Sequence, residues 1–377
     1  MRVLVDATPI PRDRGGVGRY VDSIVPALVA TGAEVHVVAK SDDVEGFRRA
    51  GAQVTTAPSW VRRTPGRLLW EQFELPRVAS RLGASVIHSV HYSFPLLTRA
   101  PRVTGVHDLT FFSDPELHGR IKGPYFRAWI RASALLRIDV VAPSRATASE
   151  WLARAGRGAS ERRVHVAHHG YDSSRFAPPT PERVDALRSE FGVESWLAFL
   201  GTLEPRKNVP ALIAAYRRSM ADRSPGDRPA LLLAGAPGWD DAVGPSVADA
   251  VDAGFDVRTL GYLPLDMLSA FLGGAELVVY PSLGEGFGLP VLEAMASGAL
   301  VSTTRRLSLP EVGGEAVLYS EPDVASIAEV LTEALDLPAD AARDLRSRAI
   351  ERAALFTWAA AAEAHLAAYR SAVERRS

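Results

Sequence analysis

A chain of 377 residues with 47% hydrophobic and 23% charged residues carries enough apolar material for two hydrophobic cores, because single cores stop growing at about 250–300 residues. A formal net charge of -1 lacks the basic excess of nucleic-acid binders, so no nucleic acid is expected as a partner. The absence of cysteine excludes disulfides, thiolate metal sites and a cysteine nucleophile.

The N-terminal run Met1-Arg2-Val3-Leu4-Val5-Asp6 reaches a charge too soon to hold a signal-peptide core. No stretch approaches the roughly 20 apolar residues of a membrane-spanning helix. A soluble, cytoplasmic protein is the expectation. Short apolar runs alternate with helix-like stretches along the chain, the pattern of parallel sheets in α/β layers. The runs at 2–5, 34–39, 86–89, 102–106, 139–142 and 164–167 predict six strands in the first half. Those at 196–200, 230–234, 257–260, 277–280, 300–303 and 317–319 predict six more in the second. Turn and breaker residues concentrate at 168–181, which places a domain break after residue 175. The Ala- and Arg-rich stretch from 339 onwards predicts one or two closing helices.

Glycine loops follow several strands. After the first comes Arg14-Gly15-Gly16-Val17-Gly18, a partial dinucleotide fingerprint, since position 21 holds Val where a third glycine is needed. A tight turn before a helix is the competing explanation; bare backbone at Gly15 and Gly16 would let a phosphate or sugar approach. His107-Asp108 closes the fourth strand, where a histidine can hold a hydroxyl or move a proton. His88 and His91 read as packing or rim residues. Two segments mix arginine with aromatics: Arg62, Arg63, Arg67, Leu68, Leu69 and Trp70, and the stretch 119–131 with Arg120, Tyr125, Arg127 and Trp129. Peripheral contact with an anionic membrane competes there with a solvated helix face over a core stripe.

In the second half, Gly201-Thr202-Leu203-Glu204-Pro205-Arg206-Lys207-Asn208 joins a strand to a helix. Two cations at a helix start oppose its dipole, and a bound diphosphate would resolve the conflict. Gly261-Tyr262 follows a further strand and reads as a base-pocket loop or an ordinary turn. The run Tyr280-Pro281-Ser282-Leu283-Gly284-Glu285-Gly286-Phe287-Gly288-Leu289-Pro290 lies between a strand and a helix whose first positions suit Pro290. Its glycines admit close approach, and the helix start presents free N–H groups to an anion. Glu285 and Glu293, with seven residues between them, add carboxylates for hydroxyls, so a sugar nucleotide fits.

With these motifs in place, the chain resembles the retaining glycosyltransferases of family 4 (glycosyl transferases group 1), mannosyltransferase-like members in particular. Glu285-Gly-Phe-Gly-Leu-Pro-Val-Leu-Glu293 matches that family's E-x7-E element, and residues 201–208 match its donor-phosphate loop. Phe356-Thr357-Trp358 resembles the segment that crosses back to the first domain. The resemblance implies a GT-B fold: α/β, with two Rossmann-like doubly wound domains facing across a cleft. Residues 1–175 would form the acceptor domain, 176–355 the nucleotide-sugar donor domain, and 356–377 a helix returning to the first.

It also implies roles. Arg206 and Lys207 would hold the donor diphosphate, Glu285 the donor sugar and Glu293 the ribose. The backbone of Gly286, Phe287, Gly288 and Leu289, together with Thr202, Gly261 and Tyr262, would complete the donor site. Gly15 and Gly16 would close over it, and His107 would lie near the reacting sugar. Thr202 stands where many relatives carry Arg, which shifts phosphate binding onto Arg206 and Lys207.

The implied reaction moves a hexose, mannose from GDP-mannose for preference, to a hydroxyl of a glycan, lipid-linked sugar or small molecule. No Asp-x-Asp occurs in the chain, so metal-free chemistry with no cofactor is expected. Retention proceeds through a covalent carboxylate intermediate or through front-face attack, the route the resemblance implies. The alternatives are a non-catalytic subunit that binds a nucleotide sugar and a GT-B sugar-nucleotide epimerase. An NAD-dependent oxidoreductase is disfavoured by the missing third glycine.

Overall fold

The computed structural model describes residues 1–11, 14–113 and 122–376. They divide into two compact units, Met1–Gly170 with Phe356–Ser377 (unit 1) and Tyr171–Leu355 (unit 2). The division falls after Gly170, five residues before the break read from the sequence.

Unit 1 is built on a parallel sheet of β1 (Arg2–Asp6), β2 (Glu34–Ala39), β3 (Gln53–Thr56), β4 (Val86–Ser89), β5 (Arg102–Gly105), β6 (Asp139–Ala142) and β7 (Val164–Val166). Their order is β3-β2-β1-β4-β5-β6-β7. The sequence predicts six strands here and the sheet has seven, β3 being the addition. Gln53-Val54-Thr55-Thr56 is an edge strand with no fully buried residue, so it lacks the apolar run that betrays an inner strand.

Alternation along the inner strands feeds two layers. Val3 and Val5 face the helices Gly16–Ala30 and Trp358–Glu374, while Leu4, Val38 and Ile87 pack against the helix Thr64–Leu82.

The C-terminal helix Trp358–Glu374 is thus part of unit 1. Its Ala361, Ala362, Leu366, Tyr369 and Ala372 join the same core cluster as β1. Thr357 caps it by accepting from the Ala360 N–H at 3.1 Å. Two buried hydrogen bonds pin it: Tyr20 Oη to His365 Nε2 at 2.6 Å and Tyr369 Oη to His88 Nδ1 at 2.8 Å. The His365 Nδ1–H donates to the Ala361 carbonyl at 2.7 Å, so Nε2 is the acceptor for Tyr20. Gly170 is required where the helix begins, because a Cβ there would lie 2.2 Å from the Trp358 nitrogen.

Unit 2 holds β8 (Trp196–Leu200), β9 (Ala230–Ala234), β10 (Val257–Gly261), β11 (Leu277–Tyr280), β12 (Val301–Thr304) and β13 (Leu318–Ser320), in the order β10-β9-β8-β11-β12-β13. All six were expected. In each unit the strand order reverses once, between β1 and β4 and between β8 and β11. In open parallel sheets the crevice beyond the carboxyl ends at such a reversal is where ligands bind. Among the described residues no helix is long and apolar enough to cross a membrane.

Candidate active site

The loops beyond β8 and β11 flank the reversal in unit 2, and they carry both motifs singled out from the sequence. They are tied by backbone, Leu283 N–H donating to the Arg206 carbonyl at 2.8 Å. Their side chains meet in a buried cluster. Lys207 Nζ donates to Glu285 Oε1 at 2.6 Å and to the Tyr280 hydroxyl, and lies 4.6 Å from the Tyr280 ring centre. Arg206 donates to the other Glu285 oxygen and, through Nε, to Glu204 Oε2 at 2.8 Å. Lys207 is 5% exposed and Glu285 7%, so these are ion pairs sheltered from water.

Burial pushes the Glu285 carboxyl up, but Arg206 and Lys207 outweigh it and hold it down at about 2. Burial and the neighbouring Arg206 press the Lys207 ammonium below its ordinary value, against the pull of Glu285. Burial raises the Tyr280 hydroxyl well above its ordinary value, so it remains protonated and polar. From the sequence Tyr280 is only a strand residue and Glu204 has no role. A buried tyrosine hydroxyl needs a partner, and that was the available signal for Tyr280.

One local expectation changes. Arg206 and Lys207 are not in the first turn of a helix: Pro205–Lys207 forms a separate 3-10 turn, and the helix is Val209–Ser219. Asn208 makes the break, in the left-handed region at φ 58°, with Nδ2 donating to the Pro281 and Pro322 carbonyls at 3.3 and 2.8 Å. The cations are answered by carboxylates, not set against a dipole. Glu293, in turn, is the fifth residue of the helix Leu289–Ala296, whose first turn holds no acid, and Pro290 is its second. Dipole compensation therefore does not explain this carboxylate, which is 2% exposed.

Gly288 precedes that helix at φ 104°, where its Cβ would lie 2.9 Å from Leu309 Cδ2. Ser308 Oγ fixes the loop from below by donating to the carbonyls of Glu285 and Phe287 at 2.8 and 2.9 Å. The Phe287 and Leu289 side chains are buried, which leaves only backbone around Gly286 to meet a ligand. Thr202 is partly exposed in the β8 loop. The Gly261 carbonyl accepts from Gly235 N–H at 2.7 Å, while Tyr262 is 67% exposed.

The remaining predicted site residues lie in unit 1. Gly15 caps the helix Gly16–Ala30, and a Cβ at Gly15 or Gly16 would touch nothing within 4 Å. Neither packing nor φ demands glycine there, so the open backbone is free for approach. His107 stands two residues beyond β5, its Nε2–H donating to the Val90 carbonyl at 2.7 Å, which leaves Nδ1 as its acceptor. Burial lowers its pKa, against the pull of the Val90 carbonyl and Asp108, and favours the neutral ring.

The basic-aromatic segments separate. Trp60, Leu69 and Phe73 are 47%, 58% and 50% exposed and line a groove of about 470 Å3 beside exposed Arg81. Trp70, by contrast, is 3% exposed, and Arg67 turns inward to Glu71 at 2.7 Å. Of the second segment, Gly119, Arg120 and Ile121 lie outside the described residues. Arg127 donates to the Phe111 carbonyl and Trp129 packs on Phe94 at 4.9 Å between ring centres, so this part faces inward.

Two doubly wound units, the second with a buried cation–carboxylate cluster at its strand-order reversal, match the GT-B fold, and known proteins supply the activity. A family model described as Glycosyltransferase Family 4 matches residues 14–175, and one described as Glycosyl transferases group 1 matches residues 194–336. The chain is 28% identical to the O-antigen chain mannosyltransferase B of Escherichia coli, over 95% of this chain and 96% of that protein. It is 27% identical to the alpha-maltose-1-phosphate synthase of Mycolicibacterium smegmatis, over 96% of each. Anabaena Alr3699/HepE, solved in complex with UDP and glucose, shares the fold with a TM-score of 0.73 at 18% identity, over 97% of this chain and 98% of that one. The chain belongs to the family 4 (group 1) glycosyltransferases and is an enzyme that transfers glycosyl groups.

Proposed function

We propose that the enzyme transfers mannose from GDP-mannose to an acceptor hydroxyl of a glycan, glycolipid or glycoside, with retention and without a metal ion. The observation that carries this reading is the pairing of Arg206 and Lys207 at the unit 2 reversal. The sugar C1–O bond to the diphosphate breaks and a C1–O bond to the acceptor forms on the same face. The hydroxyl proton passes to a donor phosphate oxygen. Negative charge grows on the departing nucleoside diphosphate, and preorganised cations in a sheltered site stabilise it most. Two fixed cations there, with no Asp-x-Asp in the chain, supply what a metal ion would otherwise provide. Mannose is favoured by the mannosyltransferase relative, which matches nearly end to end.

Calorimetric titration with a panel of nucleotide sugars tests the donor. GDP-mannose should bind most tightly and release GDP slowly without acceptor; preference for a UDP-sugar would overturn the donor assignment. Peripheral contact with an anionic bilayer is the accompanying proposal, supported by exposed Trp60, Leu69 and Phe73 beside Arg62, Arg63 and Arg81. Aromatic and aliphatic side chains would enter the interface while arginines meet lipid phosphates. Co-sedimentation with phosphatidylglycerol liposomes at low salt is expected, and its absence would remove the idea.

A further inference from the structure

The reversal in unit 1, between β1 and β4, is the counterpart of the one that holds the cation cluster in unit 2. His91 stands two residues beyond β4, as His107 stands two beyond β5. Their rings lie 6.0 Å apart and within 26° of parallel. Edge contacts with Tyr92 and Phe126, at 4.6 and 5.5 Å between ring centres, hold the His91 ring in place. Yet it is only partly buried, and among the described residues neither ring nitrogen has a hydrogen-bond partner. A ring clamped on its faces and edges with both nitrogens unused is arranged for a ligand, since packing alone would be served as well by phenylalanine.

Arg67 is the neighbouring charge. Its Nη1 donates to Glu71 Oε2 at 2.7 Å, and Glu71, with no exposed side-chain surface, is also held by Ser93 at 2.7 Å and Gln72 at 2.9 Å. Buried Asp6, at the end of β1, attracts Arg67 as well. The guanidinium is therefore held by Glu71 and drawn at longer range by Asp6, while among the described residues its Nε–H has no acceptor. Such a group can donate to a neutral oxygen; a phosphate brought beside it would meet Asp6 and Glu71 as well.

We propose that His91 and Arg67 position the acceptor, a His91 ring nitrogen accepting from one acceptor hydroxyl and Arg67 donating to an adjacent oxygen, so that the acceptor end bound here is an uncharged sugar. This rests on the hexosyl-transfer reading above and names the acceptor class for it. The histidine orients the hydroxyl and does not take its proton: burial, His107 and Arg67 depress its pKa to about 3, far too low for a base at neutral pH.

The test is calorimetry with GDP-loaded enzyme and two probes, methyl α-mannopyranoside and methyl α-mannopyranoside 6-phosphate. Wild type should bind the first at least tenfold more tightly than the second. His91→Phe, which keeps the packing, should weaken the neutral probe at least tenfold, and His91→Gln should restore part of the loss. In transfer assays the His91→Phe defect should fall on acceptor KM, with donor KM unmoved. Unchanged probe binding in His91→Phe, preference for the phosphorylated probe, or binding of neither probe by wild type would overturn the proposal. Should His91→Phe fail to fold, ring resonances of labelled histidine in wild type decide: a His91 shift on adding the neutral probe supports it, and none sinks it. Binding of GDP-mannose, measured in parallel, reports separately on the donor reading.

Discussion

Glu285 answers Lys207 with one oxygen and Arg206 with the other, and Glu204 answers Arg206 again. Two cations against two carboxylates make the cluster electroneutral before any ligand arrives. On the proposed reading a diphosphate would compete with Glu285 for these cations, and the advantage of transfer would come from charge that grows as the leaving group departs. Lys207→Ala should then reduce kcat/KM with a loss of roughly 2–4 kcal/mol of transition-state stabilisation, the scale of losing one preorganised contact. Steady-state kinetics with GDP-mannose would show it, and near-normal turnover would contradict the diphosphate role. The spacing of Glu285 and Glu293 was legible in sequence because the residues are near in the chain. Tyr280 and Glu204 were not, because their roles come from two loops that meet only when β8 and β11 pair.

At the level of elements, the loop 201–208 is shaped by a neighbour that the sequence did not flag. The loop after β9 lies against it: Leu203 N–H donates to the Ala236 carbonyl and Asp240 N–H to the Leu203 carbonyl, both at 3.2 Å. Gly238 permits this approach, since a Cβ would sit 1.9 Å from the Leu203 oxygen. Because the obstacle is backbone, Gly238→Ala must displace the 201–208 loop. It should cost about 1–3 kcal/mol, the usual penalty of overpacking, and weaken nucleotide-sugar binding more than tenfold. Denaturant unfolding and calorimetry check the two parts, and unchanged donor affinity would show that the loop tolerates the shift. Inner strands were legible because burial on both faces leaves continuous apolar runs. Edge strand β3 was hidden by its polar composition, and the break at Asn208 by a left-handed conformation that side-chain identity only weakly signals.

Across the whole molecule, the two units carry different titrating machinery. Of the nine histidines in the sequence, the eight among the described residues, at positions 36, 88, 91, 107, 165, 168, 169 and 365, fall in unit 1. Burial lowers the pKa of His88, His107 and His169, and takes His365 to about 4. A histidine kept neutral in the fold but free to charge at its ordinary 6.5 when unfolded favours the unfolded chain as pH drops below 6.5. The loss continues down to the folded value. Asp6, Asp22 and Glu71 act in the opposite sense, since burial raises each and protonation suits the fold. They are outnumbered, and His88 and His365 are the groups that pin the C-terminal helix.

Unit 2 has no histidine, and its Glu285 is held at about 2 against an ordinary 4.5. The stability it contributes is complete above 4.5 and fades only as pH falls towards 2. Acidification from pH 6.5 to 4.5 should therefore strip hydrogen-exchange protection from residues 1–170 and 356–376 while 171–355 retain theirs. Tyr369→Phe should bring the loss to higher pH, because the buried His88 Nδ1 then loses its hydrogen-bond partner and unit 1 starts about 1–3 kcal/mol less stable. Pulsed exchange with mass spectrometry at stepped pH resolves the peptides of each unit. Protection lost first in 171–355 would show that the buried histidines do not govern the acid response.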